Sequence, residues 1–270
     1  MFILHCGAKA ATVDEVNKAP CPKGTKSWTP VPHGQFIEMV KGAAGNAGFE
    51  IGEEQYGLYD DASRLFGVVG IKGQDHFGGQ VQLMMGIRNG NDKQIAAGVC
   101  AGSRVFVCDN LSFLAYTDQS LNGEPVFMQR KHTRYAIDGI PPMLEQAMAR
   151  ILELKDYQEK FFEKLATVTL KNRDVNDAIM RAAKAEAIPW THVRHVREQW
   201  DLQQRMPENE EEEARWHEEF HVDNAWSLYN CFTEVAKGYL GQNTMKASDR
   251  SIVANGFFRD RFCGKNFSKN

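Results

Sequence analysis

The stretch from Val81 to Cys108 decides the fold. It opens Val81-Gln82-Leu83-Met84-Met85-Gly86-Ile87-Arg88, passes Asn89-Gly90-Asn91-Asp92, and resumes Gln94-Ile95-Ala96-Ala97-Gly98-Val99-Cys100. It then closes on Ser103-Arg104-Val105-Phe106-Val107-Cys108. Apolar runs this short, separated by a polar Asn-Gly turn, read as neighbouring strands of a hairpin. A parallel crossover needs about a dozen residues or more, which these turns lack. Working outward, Glu53–Tyr59 and Arg64–Lys72 flank the polar turn Asp60-Asp61-Ala62-Ser63 in the same way. The region from Phe49 to about Met128 therefore reads as an antiparallel meander of four to six strands, and one face of such a sheet needs cover.

Cover is available on both sides. Before the meander, Phe36, Val40 and Ala43/Ala44 fall at helical spacing in Gln35–Ala47, which ends at Gly45 and Gly48. After it, Pro141-Pro142 suit a helix's first turn, and Ala147, Ile151, Leu154, Phe161 and Leu165 recur on one face. Further helices are expected over Asp174–Ala187, His192–Gln204, Glu210–Lys237 and Ser248–Phe262. Helix, meander, then helices is an α+β order. The expected division is an arm or loop over 1–34 and a helix-plus-sheet region over 35–138. A helical region over 139–270 packs on the sheet, all in one compact domain. The arm holds Pro20, Pro22, Pro30 and Pro32, and Thr12-Val13-Asp14-Glu15 within it suits a short helical turn.

Composition narrows the function classes. The 270 residues carry 32 basic against 35 acidic side chains, a net charge of −3, so no strong overall field draws the protein to polyanions. No run approaches the 18 apolar residues of a membrane span. Met1-Phe2-Ile3-Leu4 lacks the basic flank and length of a signal peptide. A cytoplasmic protein without membrane contact is expected. Cys6, Cys21, Cys100, Cys108, Cys231 and Cys263 form no zinc-type spacing and read as reduced, scattered thiols. Charge is separated along the chain: 171–197 carries +3, 198–219 carries −7, and 237–270 carries +5. Either an anionic partner or internal pairing between helices follows from such asymmetry.

Three motifs bear on chemistry. Arg130-Lys131-His132-Thr133-Arg134 is the densest basic cluster, and it follows Pro125-Val126-Phe127-Met128. Its cations suit phosphate, with Phe127 or Tyr135 offering a stacking face. The competing reading is a solvated strand end. Trp190-Thr191-His192-Val193-Arg194-His195-Val196-Arg197 interleaves aromatic and basic groups too, though its charges can pair with the acidic segment that follows. His217-Glu218-Glu219-Phe220-His221 matches H-E-x-x-H, which on a helix sets two imidazoles one turn apart for zinc, with Glu218 as base. Its third ligand would have to be Glu234 or a remote group. The competing reading is a charged helix face beside the apolar stripe Trp216, Phe220, Leu228, Cys231 and Val235.

Three segments together resemble a known family. They are Ser103–Leu111, the step Lys131-His132-Thr133, and Asn224-Ala225-Trp226-Ser227-Leu228-Tyr229-Asn230-Cys231-Phe232-Thr233-Glu234. The chain is similar in these to the phage/plasmid-like family known as domain of unknown function 932. The resemblance implies a bacterial host cell and a mobile genetic element, and it lends no enzyme activity or catalytic residues. The leading expectation is a non-catalytic accessory protein without cofactor or metal. It would bind single-stranded DNA in recombination or replication, after the manner of single-strand annealing proteins, as a homo-oligomer. Arg104, Phe127, Arg130, Lys131, His132 and Arg134 are the expected contacts. Two other readings stand beside it: an anti-defence or regulatory protein binding a host protein, and a metal-dependent hydrolase using His217, Glu218 and His221.

Overall fold

Strand pairing follows the short polar turns that separate the apolar runs of the sequence. In a computed structural model, residues 9–59, 61–105, 110–113, 127–239, 253–264 and 267 are described. Strands β2 (Ile51–Tyr59), β3 (Arg64–His76), β4 (Val81–Gly90) and β5 (Ala97–Val105) form the antiparallel meander. The runs Gln94–Cys100 and Ser103–Cys108 are joined: Ala101 and Gly102 continue one strand to Val105, and 106–109 lie outside the described residues. Strand β6 (Asn110–Phe113) pairs with the far half of β5, and β7 (Phe127–Arg130) with its near half.

The segment read as an arm contributes to the body. Strand β1 (Lys9–Ala11) pairs with β2, and α1 (Val13–Lys18) follows at once. The Thr12 hydroxyl accepts from the Glu15 N–H at 3.2 Å, while the Glu15 carboxylate accepts from the Thr12 N–H at 2.7 Å. This capping box satisfies two of the N–H groups that a helix start leaves orphaned. Helix α2 (His33–Asn46) crosses α1 at Gly34, where a Cβ would lie 1.8 Å from the Asn17 side-chain oxygen.

Odd-numbered positions of the central strands, Leu65, Val69, Ile71, Leu83, Met85, Ile87 and Val99, face one apolar cluster. Helices α2 and α3 (Ala136–Ala149) close it with Phe36, Ile37, Val40, Ile140, Leu144 and Met148. Pro141 and Pro142 lie in the second turn of α3, not the first. Their missing N–H groups leave the carbonyls of Ile137 and Asp138 without the usual intrahelical donors. Helix α4 (Ile151–Thr167) then leads into a second cluster with α5 (Asn172–Lys184), α6 (Val193–Gln203) and α8 (Ala225–Tyr239), whose centre holds Phe161, Phe162, Trp200, Trp226 and Tyr229.

The helix expected over Glu210–Lys237 is broken. It comprises α7 (Glu210–Glu213), a 3-10 turn at Glu218–Phe220, and α8. The cause is backbone competition: Leu170 N–H donates to Asp223 O at 2.8 Å and Ala225 N–H to Val168 O at 2.9 Å. Residues 223–225 are thereby held extended against 168–170, and α8 restarts with Asn224 accepting from Ser227 N–H at 2.8 Å. Of the last expected helix, 253–258 is helical and runs on as a π turn at Arg259–Cys263, while 248–252 lie outside the described residues.

Candidate nucleic-acid interface

The Lys131-His132-Thr133 step is fixed by a distant partner, the proline-bounded loop around Trp28. Trp28 and Thr133 form an isolated antiparallel bridge, and Thr29 N–H donates to His132 O at 3.3 Å. The loop closes on itself through Thr25 N–H donating to Trp28 O at 2.8 Å. Trp28 thereby lies beside the His132 imidazole, with ring centroids 6.3 Å apart and planes 30° from parallel. Lys93, from the β4–β5 turn, holds its ammonium 5.0 Å from the Trp28 ring centroid.

That turn is itself braced. Asp92 accepts from Gln94 N–H at 3.0 Å and pairs with Arg64 Nε at 2.5 Å. Burial opposes the Asp92 charge, but these hydrogen bonds outweigh it and hold the carboxyl below its ordinary value. Asn91 N–H donates to Ser63 O at 2.7 Å, tying the turn to the one before β3. Behind it, Asn89 Nδ2 donates to Val31 O at 2.8 Å and meets His33 Nδ1 at 2.8 Å. His33 Nε2–H donates to Ala62 O at 3.1 Å, so the ring is the neutral Nε2–H tautomer. Burial pushes the imidazoles of both His33 and His132 below the ordinary histidine range.

The expected contact residues are only partly brought together. Arg130, Lys131 and Arg134 are exposed around the buried His132, and among the described residues they form no ion pair. The Arg130 guanidinium lies over α3, where a Cβ at Gly139 would come within 2.5 Å of it. Arg134 stands over Tyr135, 5.6 Å from the ring centroid, and that ring is 60% exposed. Phe127 and Arg104 are described by their backbones alone. Phe127 pairs with Cys100, three residues from Arg130 along β7. Arg104 pairs with Leu111, while Arg130 pairs with Ala97 at the opposite end of β5, roughly 23 Å away at strand rise. Arg104 therefore does not belong to this edge. Trp28 and Lys93 do belong to it, and sequence reading missed both.

The other basic segment is neutralised. Arg194 pairs with Glu198 at 2.6 Å, Arg197 with Asp201 at 2.7 Å, and Arg205 with Glu208 and Glu212 at 2.9 and 2.6 Å. Two ion pairs, Arg194–Glu198 and Arg197–Asp201, thus join the basic segment 171–197 to the acidic segment 198–219.

The H-E-x-x-H residues are not on an α-helix. His217 N–H donates to Gln203 Oε1 at 3.0 Å, His221 Nδ1–H to Gln203 O at 2.8 Å, and Glu218 is exposed. His217 lines a small cavity with Gln199, Gln203, Asn230, Cys231 and Glu234, while His221 lies by Trp216. Among the described residues, no group of three or more His, Cys, Asp or Glu is placed to hold a metal ion. No helix among them is long and apolar enough to cross a membrane.

Fold and edge together define an α+β chain whose β7–α3 junction carries unpaired cations beside aromatic rings. A family model described as a domain of unknown function (DUF932) matches residues 24–253, and the chain belongs to that family. No curated protein and no solved structure matches it.

Proposed function

We propose that the chain binds single-stranded nucleic acid along the edge formed by Arg130, Lys131, Arg134 and Lys93. The observation that carries this reading is the contrast between two basic segments. The cations of α6 face carboxylates, whereas those of 130–134 face solvent beside Tyr135 and Trp28. Unpaired cations next to accessible rings suit a flexible strand, whose phosphates meet the charges while its bases stack. The chain acts without catalysis, as an accessory protein of a mobile genetic element, a setting that the phage/plasmid-like resemblance supports. Self-association along a strand accompanies this role.

Fluorescence anisotropy with a labelled single-stranded oligonucleotide, run over a salt series, tests the reading. Replacing Arg130, Lys131 and Arg134 together by Ala should weaken binding and reduce the log–log salt slope by about two units, at roughly 0.7 per lost phosphate contact. Stability should change little, by about 0.5 kcal/mol or less per exposed site. Equal binding by the triple variant removes this edge from contention. Absence of binding at low salt by the unaltered chain turns attention to a protein partner for the same surface.

A further inference from the structure

Directly behind the cationic edge, four side chains hold polar atoms that are buried and have no hydrogen-bond partner. They are Oδ1 and Nδ2 of Asn91, Oδ1 of Asn89, Nε1 of Trp28 and the ring nitrogen of His132 that does not meet the Thr29 backbone. His132, Asn91 and Asn89 are themselves 6%, 5% and 0% exposed. Asn89 touches His33 at 2.8 Å, His132 is close enough to His33 and Asp92 to exchange charge effects with both, and Asn91 is the chain neighbour of Asp92. An unpaired buried polar atom is destabilising, and apolar residues of similar size would avoid that cost. His33, in the same neighbourhood, has both ring nitrogens paired. A cluster left open beside a fully paired histidine points to a missing partner.

We propose that these atoms form the recognition edge of a pocket for one nucleobase of the bound strand, entered past Trp28. The proposal rests on the reading of the Lys131–Arg134 edge as a strand-binding surface. The chemistry of the four groups matches a base. With the Thr29 carbonyl against one ring nitrogen, the neutral His132 imidazole presents its other nitrogen, and the Asn91 amide presents a donor and an acceptor in one plane. Nucleobases carry adjacent donors and acceptors on their edges in the same manner, and proteins read splayed-out bases by hydrogen-bonding those edges and stacking the ring on aromatics. Trp28 supplies the stacking wall. Its backbone is held by the bridge to Thr133, so entry of a flat ring requires the indole alone to rotate away from His132. Lys93 over Trp28, with Lys131 and Arg134 beside His132, would hold the phosphates on either side of that base.

The test uses the full chain and three length-matched strands: a wholly abasic one, the same strand with a single base at its centre, and a fully base-bearing one. The single base should tighten binding by roughly 5-fold to 100-fold over the abasic strand, the range of one buried, stacked base. Asn91→Leu and His132→Phe should each abolish that gain while keeping the abasic affinity and its salt slope. Equal binding of abasic and single-base strands by the unaltered chain overturns the pocket, whose atoms would then be paired by water only, and leaves the phosphate-binding edge standing. Comparison of strands on the unaltered chain needs no variant, so a variant that fails to fold does not decide the matter. Should no strand bind at all, the edge fails, and a nucleoside monophosphate titration decides the pocket alone. Quenching of tryptophan emission that disappears in Trp28→Phe supports it, and unchanged emission overturns it.

Discussion

His132 and His33 are held neutral by the same burial that makes their surroundings polar and tight, and this fixes how stability responds to acid. Each has a folded pKa below the ordinary 6.5, while the unfolded chain titrates near that value. On acidification below 6.5 the unfolded state takes up protons before the folded state does, so stability present above that pH is lost as the pH falls. A hydrogen bond to the Thr29 backbone and the charge of Asp92 soften the effect at His132 without reversing it. Carboxylates held below their ordinary 3.8 or 4.5, such as Asp92, Asp177 and Glu198, act only at lower pH. The melting temperature should therefore fall between about pH 7.5 and pH 5, and fall less in His132→Phe. A flat profile over that interval would show that neither imidazole is shielded from water. At this scale the site was half legible. Lys131-His132-Thr133 stands out in the sequence, but Trp28 sits more than a hundred residues away, and only its place between prolines marks it. Asn91 looks like any turn residue until its burial is seen.

Among the elements, the strands were legible as short apolar runs between polar turns, and the helix ends were not. Gly67 shows what a strand position can conceal. It lies between Tyr56 and Ile87 in register, and a Cβ there would approach Tyr56 Cδ1 at 2.7 Å and Ile87 Cγ1 at 2.9 Å. The tyrosine ring covers the glycine from the neighbouring strand, and its hydroxyl is fixed by a hydrogen bond to Glu54, which also pairs with Lys41 of α2. Gly67→Ala should cost about 1–3 kcal/mol, the range for overfilling a packed core, read as a shift in the urea midpoint with an unchanged m-value. An unshifted midpoint would mean that Tyr56 moves aside freely. The broken helix over Glu210–Lys237 illustrates the opposite failure. Its period and acidic first turn satisfy every local rule, yet the tie between 168–170 and 223–225 overrides them, and with it goes the imidazole spacing that made His217 and His221 resemble a zinc pair. Chelator should leave the melting temperature unchanged, and metal analysis should find less than one zinc per chain, because a ligated site would stabilise the fold by mass action.

For the molecule as a whole, the order helix, meander, helices was readable from turn lengths, but the way the halves are joined was not. Two apolar clusters are present, one over the odd-numbered face of the sheet and one among the later helices. Helix α4 belongs to both. Ile151 and Leu154 in its first turns lie in the sheet cluster, while Phe161, Phe162 and Leu165 lie in the helical one. Val81, the first residue of β4, also reaches the helical cluster. Melting either cluster would strip one end of a continuous 17-residue helix, whose remaining turns are too short to persist alone. The two halves should consequently unfold in one transition. In a Trp28→Phe background tryptophan fluorescence reports the helical half through Trp190, Trp200, Trp216 and Trp226, and far-ultraviolet circular dichroism reports sheet and helices together. Their denaturant midpoints should coincide. Leu154→Ala should cost about 2–5 kcal/mol and Phe162→Ala about 3–5 kcal/mol, and each should move both probes together. A Leu154→Ala variant whose fluorescence midpoint stays put while its dichroism midpoint falls would show that the sheet melts without the helices. In that event α4 is a linker, and the β7–α3 edge, which stands on the sheet side, would be separable from the helical half.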